Sequence, residues 1–231
     1  MLEKVKKQDG IALLELLVSI SILLILAGIG IVNYGKVAVV NFENETSEKL
    51  VALTKAFCLY YDTYGSYASQ ITDLAPYCEK GNVSKDAWGN TIAYYTNIQV
   101  DGKNYPSAFI SGGKDGNIDS TLDGSTLTLS SSDIYALTSQ GMIESTRREK
   151  TEDKISRANA ALSVYLSNPP VDSECQTDNS DECCSIMYGE GLVEGIDCYD
   201  NWGHLLLLDA DTSTFYSVGP DGIGGNSDDV S

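Results

Sequence analysis

The hydrophobic pattern of the chain changes period along its length. From Ile11 to Val32 almost every residue is apolar, and Glu15 is the one charge. At about 1.5 Å per residue such a run makes a helix of about 33 Å, enough to cross a bilayer core. From Asn41 to Tyr61 the pattern turns amphipathic: Leu50, Leu53, Phe57 and Tyr60 recur at helical spacing, with Glu43, Glu45, Glu48 and Lys49 on the polar side. One helix is expected to begin in the membrane and finish as a stem on a globular head, ending at Tyr64-Gly65-Ser66-Tyr67. Short strand-like runs follow. Ile92–Val100 and Ser107–Ile110 flank the turn signal Asp101-Gly102, and Leu205–Leu208 and Thr214–Ser217 flank Asp209–Thr212. Leu122–Asp133 reads as a loop or an added strand. A second, soluble helix is expected from near Thr146 to Ser167, stopping at Asn168-Pro169-Pro170. The fold class is α+β, a long N-terminal helix packed on a small antiparallel sheet.

The order helix, Trp-Gly turn, strands, Asp-Gly loop occurs twice. Lys49–Tyr60 aligns with Lys154–Tyr165, Asp86-Ala87-Trp88-Gly89-Asn90 with Asp200-Asn201-Trp202-Gly203-His204, and Ser111–Gly116 with Ser217–Gly222. The head is therefore expected in tandem. The expected boundaries are a short basic leader at 1–10, a membrane helix at 11–34, a first head at 35–140 and a second at 141–231. Trp88 and Trp202 are expected as core anchors.

The leader ends in Lys7-Gln8-Asp9-Gly10, followed by Ile11-Ala12-Leu13-Leu14-Glu15. This junction resembles the class III signal of type IV pilins and type II secretion pseudopilins. The resemblance implies cleavage after Gly10 by a prepilin peptidase, methylation of the new N-terminus at Ile11, and a role in assembly for Glu15. Each head is similar to that of a type II secretion major pseudopilin, with Asp-x-Trp-Gly-x and then Ser-x-Gly-x-Asp-Gly. Two positions depart from the family pattern. The first mature residue is isoleucine rather than phenylalanine, and Val32 stands where many members carry a helix-kinking proline. Gly28 and Gly30 offer a weak point instead, since glycine costs about 1 kcal/mol relative to alanine in a helix.

Charge and cysteine content narrow the setting. The formal net charge is −18, which argues against a nucleic-acid partner and for solubility or cation binding. Lys4, Lys6 and Lys7 keep the leader cytoplasmic, so the acidic remainder crosses the membrane. The expected location is the bacterial inner membrane, single pass, with the head in the periplasm or outside the cell. Six cysteines fit an oxidising compartment. Cys58 and Cys78 are candidates for one bridge, worth about 3 kcal/mol in the chain-entropy account. Cys175, Cys183, Cys184 and Cys198 allow three pairings among themselves.

The acidic loops are the candidate metal sites. Ca²⁺ takes six to eight oxygen ligands, and glycine-rich loops turn carbonyls inward. The second loop supplies Asp221, Asp228 and Asp229, which in the resemblance match the major pseudopilin's calcium aspartates. The first supplies Asp115, Asp119 and Asp123. Neither is an EF-hand, because Ser120 and Thr126 stand where glycine and glutamate are needed. Catalysis has little material: there is one histidine, His204, no CxxC pair, and no Walker spacing around Lys114. The expectation is a non-enzymatic subunit that forms a helical homo-oligomer, handled by the peptidase and an inner-membrane assembly platform, serving type II secretion. The alternatives are a type IV pilin of a surface fibre for adhesion, motility or DNA uptake, and a membrane-tethered calcium-dependent binding module that does not polymerise.

Overall fold

The computed structural model describes residues 2–167, 183, 184, 187, 188, 191, 193, 198–209 and 211–231, and it describes no side chains for 2–14 and 26–35. The chain folds as a mixed α+β structure. Helix α1, Leu2–Tyr64, runs without a break through the leader, the apolar run and the stem. Its buried stripe is Thr46, Leu50, Leu53 and Phe57, the one-face spacing that the amphipathic pattern requires. It stops where expected: Gly65 adopts φ +65°, and its N–H donates to the Tyr61 carbonyl at 2.8 Å, capping the last turn. A 3-10 turn, Ile71–Tyr77, then folds back and buries Leu74 against the stem.

Strands β1 (Ala93–Val100) and β2 (Lys103–Ser111) form a hairpin closed by Asp101 and Gly102, at φ +50° and +75°. Two left-handed residues match the twist of the flanking strands, which is why the Asp-Gly pair predicted this turn correctly. Strands β3 (Thr121–Asp123), β4 (Thr126–Thr128) and β5 (Ile134–Thr138) complete a sheet in the order β3-β4-β1-β2-β5. The sheet is mixed, not antiparallel throughout. The small β3–β4 hairpin returns along the outer edge of β1, where Gln99 pairs in parallel with Thr126 and the Gln99 N–H donates to the Ser125 carbonyl at 2.8 Å.

Helix α2, Gln140–Ser167, begins ahead of the expected Thr146. Ser139 caps it: its carbonyl accepts the Met142 and Ile143 N–H groups, and its hydroxyl accepts Met142 N–H at 3.3 Å. Gly141, which read as a junction, is inside the first turn because Ile143 buries completely in the first core. The same helix buries Ile155, Ala158 and Leu162 in a second core with Met187, Leu206 and Phe215. It therefore passes through both cores. Strands β6 (Leu207–Asp209) and β7 (Thr214–Tyr216) pair antiparallel beside it, and Ser217 bridges Val230 near the C-terminus.

Candidate functional site

On α1 the Glu15 side chain is exposed, and so are its neighbours: Leu16, Leu17, Leu23, Leu24 and Ile25 are each 60–68 % exposed. Apolar side chains all round a helix need cover from outside the chain. Among the described residues no helix is long and apolar enough to cross a membrane, and the side chains described in the apolar run are those of residues 15–25. Gly10 and Ile11, the expected processing pair, lie within α1, but their side chains are outside the described ones.

The two Trp-Gly turns share one hydrogen-bond pattern. In the first, the Asp86 carboxylate accepts the Asn90 N–H at 2.7 Å and the Ser111 hydroxyl at 2.7 Å, and Ser111 Oγ accepts the Gly113 N–H at 3.0 Å. In the second, Asp200 accepts the His204 N–H and the Ser217 hydroxyl, each at 2.7 Å, and Ser217 Oγ accepts the Gly219 N–H at 3.0 Å. Asn90 Nδ2 donates to the Gly113 carbonyl at 2.8 Å; His204 Nδ1 lies 2.9 Å from the Gly219 carbonyl. A buried threonine of each helix meets each turn: Thr46 Oγ1 accepts Ala87 N–H, and Thr151 Oγ1 accepts Asn201 N–H. The aspartates are the buried centres, Asp86 at 5 % and Asp200 at 3 % exposure. Trp88 and Trp202 are half-buried: Trp202 packs against the second core, as expected of an anchor, while Trp88 meets the ring of Phe42. An indole can pack on the outside of a turn, whereas a carboxylate that closes it must sit inside.

The acidic loops differ in how their carboxylates are used. Asp221 accepts the Ile223 N–H at 2.8 Å and Asn226 Nδ2 at 3.0 Å, and Asp229 Oδ2 accepts the Gly225 N–H at 2.8 Å. Asp229 Oδ1 is buried without a hydrogen-bond partner. Gly219 has φ +68°, and a Cβ there would run into the Asp228 carbonyl. Arg148 of α2 donates to the Asp228 and Asp229 carbonyls, fixing the end of the loop. In the first loop, Asp115 accepts Asn117 N–H, Asp119 accepts the Ser132 hydroxyl, and Asp123 lies at the turn of the β3–β4 hairpin opposite Thr126. Among the described residues no three of His, Cys, Asp or Glu are placed to hold a metal ion together. The carboxylate that organises the first loop is Asp133, unmarked in the sequence reading. It is buried and accepts Ser120 N–H at 2.7 Å, Ser120 Oγ at 2.6 Å and Asp119 N–H at 3.2 Å.

The expected Cys58–Cys78 bridge is not formed; both are free thiols. Cys58 is buried in the first core and lines the cleft between α1 and α2 with Met142 and Thr146; Cys78, just after the 3-10 turn, is half-buried against the same core. Burial pushes the Cys58 thiol from 9.0 up to about 11, against the pull of a hydrogen bond with Thr146. In the second core Cys184 is joined to Cys198, and Cys183 is disulfide-bonded as well. Cys175 lies outside the described residues.

The two cores meet at a polar joint that the sequence reading missed. Asp62, with a side chain 5 % exposed, accepts Lys150 Nζ at 2.6 Å and Asn201 Nδ2 at 2.9 Å, with Arg147 Nε at 3.7 Å. The Arg147 guanidinium lies 5.2 Å from the centre of the Tyr61 ring. Arg147 and Lys150 share a face of α2, a signal visible in the sequence, but nothing local ties that face to Asp62.

No curated protein and no solved structure matches the chain. Residues 5–31 match the prokaryotic N-terminal methylation motif, which is typical of type IV pilin-like proteins and implies processing by a prepilin peptidase and assembly into filaments.

Proposed function

We propose that the chain is a structural subunit of a pseudopilus, built for type II protein secretion, with two pseudopilin-like heads on one N-terminal helix. The observation that carries this reading is the N-terminal methylation motif on a helix that continues unbroken into the first head. Cleavage after Gly10 frees an ammonium at Ile11, and Glu15 of a neighbouring copy pairs with it. The pairing offsets two desolvation costs at once and sets the register, because a mispaired register leaves charge buried in an apolar bundle. The matched turns at Asp86 and Asp200 support the duplicated head. The subunit works mechanically and catalyses nothing.

A calcium ion belongs to this reading at the second loop, where Asp221, Asp228 and Asp229 would have to draw together to hold it, since among the described residues no three carboxylates are gathered there in the structure. The buried, unpartnered Asp229 Oδ1 supports it, since such an oxygen is suited to a hard cation. The ion would supply positive charge that keeps the carboxylates together. In the first loop the donors of Ser120 and Ser132 already serve that purpose, and we assign no ion there.

Mass spectrometry of sheared filaments and of membranes tests the reading. A mature N-terminus at Ile11, with Glu15→Leu protein still inserted but no longer assembled, is the expected result. Normal filaments from Glu15→Leu, or an intact Met1 leader in both fractions, overturns it.

A further inference from the structure

The joint at Asp62 gathers three groups whose chemistry goes beyond an ion pair. Lys150 Nζ lies 2.6 Å from Asp62 Oδ2. Asn201 Nδ2 donates to that same oxygen at 2.9 Å and to Asp62 Oδ1 at 3.1 Å. An amine and a carboxamide thus share one oxygen of a carboxylate whose side chain is 5 % exposed. Asn201 Oδ1 is buried without a hydrogen-bond partner, and so is Arg147 Nε, 3.7 Å from Asp62 Oδ1. A buried amide oxygen left unpaired is unfavourable, so hydrogen bonding alone does not account for the asparagine. The Trp-Gly turn does not require it either. Each turn donates a backbone N–H to a helix threonine at this position, and the first does so with Ala87 where the second has Asn201.

We propose that Lys150 and Asn201 become joined by an isopeptide bond, with Asp62 carrying the protons. The Lys150 ammonium passes a proton to Asp62, which turns the ion pair into a neutral amine and a neutral carboxylic acid at no change in net charge. Burial favours such a neutral pair over separated ions. The lone pair freed on Nζ attacks Asn201 Cγ, and the π electrons of the carbonyl move onto Oδ1, in a joint where Arg147 supplies positive charge. Asp62 gives its proton to Nδ2, the atom it already contacts, and takes a second proton from the attacking nitrogen. The Cγ–Nδ2 bond breaks, and the nitrogen leaves with that second proton as ammonium. Two of the three ammonium protons of Lys150 depart, one stays as the new amide N–H, and nothing is oxidised or reduced. Holding both reactants on one oxygen makes the encounter intramolecular, with the proton carrier in hydrogen-bond reach of each. The reaction acts once on the chain itself and turns over no external substrate.

Lys150 belongs to α2 and Asn201 to the second Trp-Gly turn, whereas Asp62 comes from the end of α1. The bond therefore forms only after α1 has met α2, and it then ties α2 to the second turn covalently. The inference does not depend on the filament reading.

Full-length protein extracted from native membranes, reduced and digested with trypsin, supplies the test by mass spectrometry. The expected result is a branched peptide that joins the segments carrying Lys150 and Asn201, lighter than their sum by one ammonia, with no cleavage after Lys150. Lys150→Arg, which keeps a cation beside Asp62, and Asp62→Ala should each give linear peptides of full mass. A parent chain that is cleaved after Lys150 and yields a linear Asn201 peptide overturns the proposal, whether or not the variants fold. Loss of ammonia in a linear peptide overturns it too, since that is ring closure at the asparagine alone. A branched peptide that persists in Asp62→Ala overturns the part given to Asp62.

Discussion

The Ser217 hydroxyl donates to the buried Asp200 carboxylate at 2.7 Å, the same distance at which Ser111 donates to Asp86. Each pair ties a Trp-Gly turn to the strand that precedes an Asp-Gly loop. Asp200 also accepts the Trp202 and His204 N–H groups at 2.9 and 2.7 Å. Hydrogen bonds to a charged partner are worth about 1.5–3 kcal/mol each, and donors orphaned by burial cost more. Asp200→Ala should lower unfolding free energy by about 3 kcal/mol or more, read by urea denaturation. Asp86→Ala should do the same at the first turn, and Ser217→Ala should cost about 1 kcal/mol. A loss under 1 kcal/mol for Asp200→Ala contradicts the assignment.

The joint at Asp62 gives a second prediction. Its removal leaves Arg147 and Lys150 without their carboxylate, but both retain some solvent, which moderates the cost. Asp62→Ala should destabilise by about 2 kcal/mol and separate the unfolding of the two cores into two calorimetric transitions. A single unshifted transition would count against a coupling role.

Cys58 makes the stability sensitive to alkali. Its thiol is held up at about 11, above 9.0, so the folded chain binds that proton more tightly than the unfolded one. The contribution is fully present below pH 9 and is lost as the pH rises through about 11. Cys58→Ala should flatten the fall in melting temperature across that window. At pH 8, alkylation of Cys58 in the native protein should run about 100-fold slower than in the unfolded chain, from the thiolate fractions alone. Equal labelling rates would show that the thiol is not held in the cleft.

Calcium should raise the melting temperature of the native protein by mass action. Asp229→Ala and Asp221→Ala should abolish that rise while changing the melt in chelator little. Asp133→Ala should instead destabilise the protein by about 2 kcal/mol with or without calcium, since its partners are Ser120 and Asp119 N–H. Identical melts of the native protein with calcium and with chelator would exclude an ion at the second loop.

The features legible in the sequence were those with a local signature. Leu50, Leu53 and Phe57 announced the stem, Gly65 its end, and Asp101-Gly102 the hairpin. The missed features are set by partners far along the chain. Gln99 meets Thr126 in parallel only because the intervening residues fold into a hairpin of their own. Ser139 and Ile143 outweigh the helix cost of Gly141 through a cap and a core contact that no short window displays. Cys58 and Cys78 have a plausible spacing for a bridge, but α2 takes up the face that Cys58 points to. In the acidic loops, counting carboxylates could not show that Asp133 is satisfied by Ser120 while Asp229 keeps one oxygen unpaired.

Helix α2 runs through both hydrophobic cores as one rod, about 42 Å long for its 28 residues. Any displacement of one core against the other is therefore carried along the rod as shear, with Ile143 and Ile155 resisting at the same moment in different cores. A flexible linker in that place would let contacts peel away one after another. A continuous helix in that place makes the two cores move together.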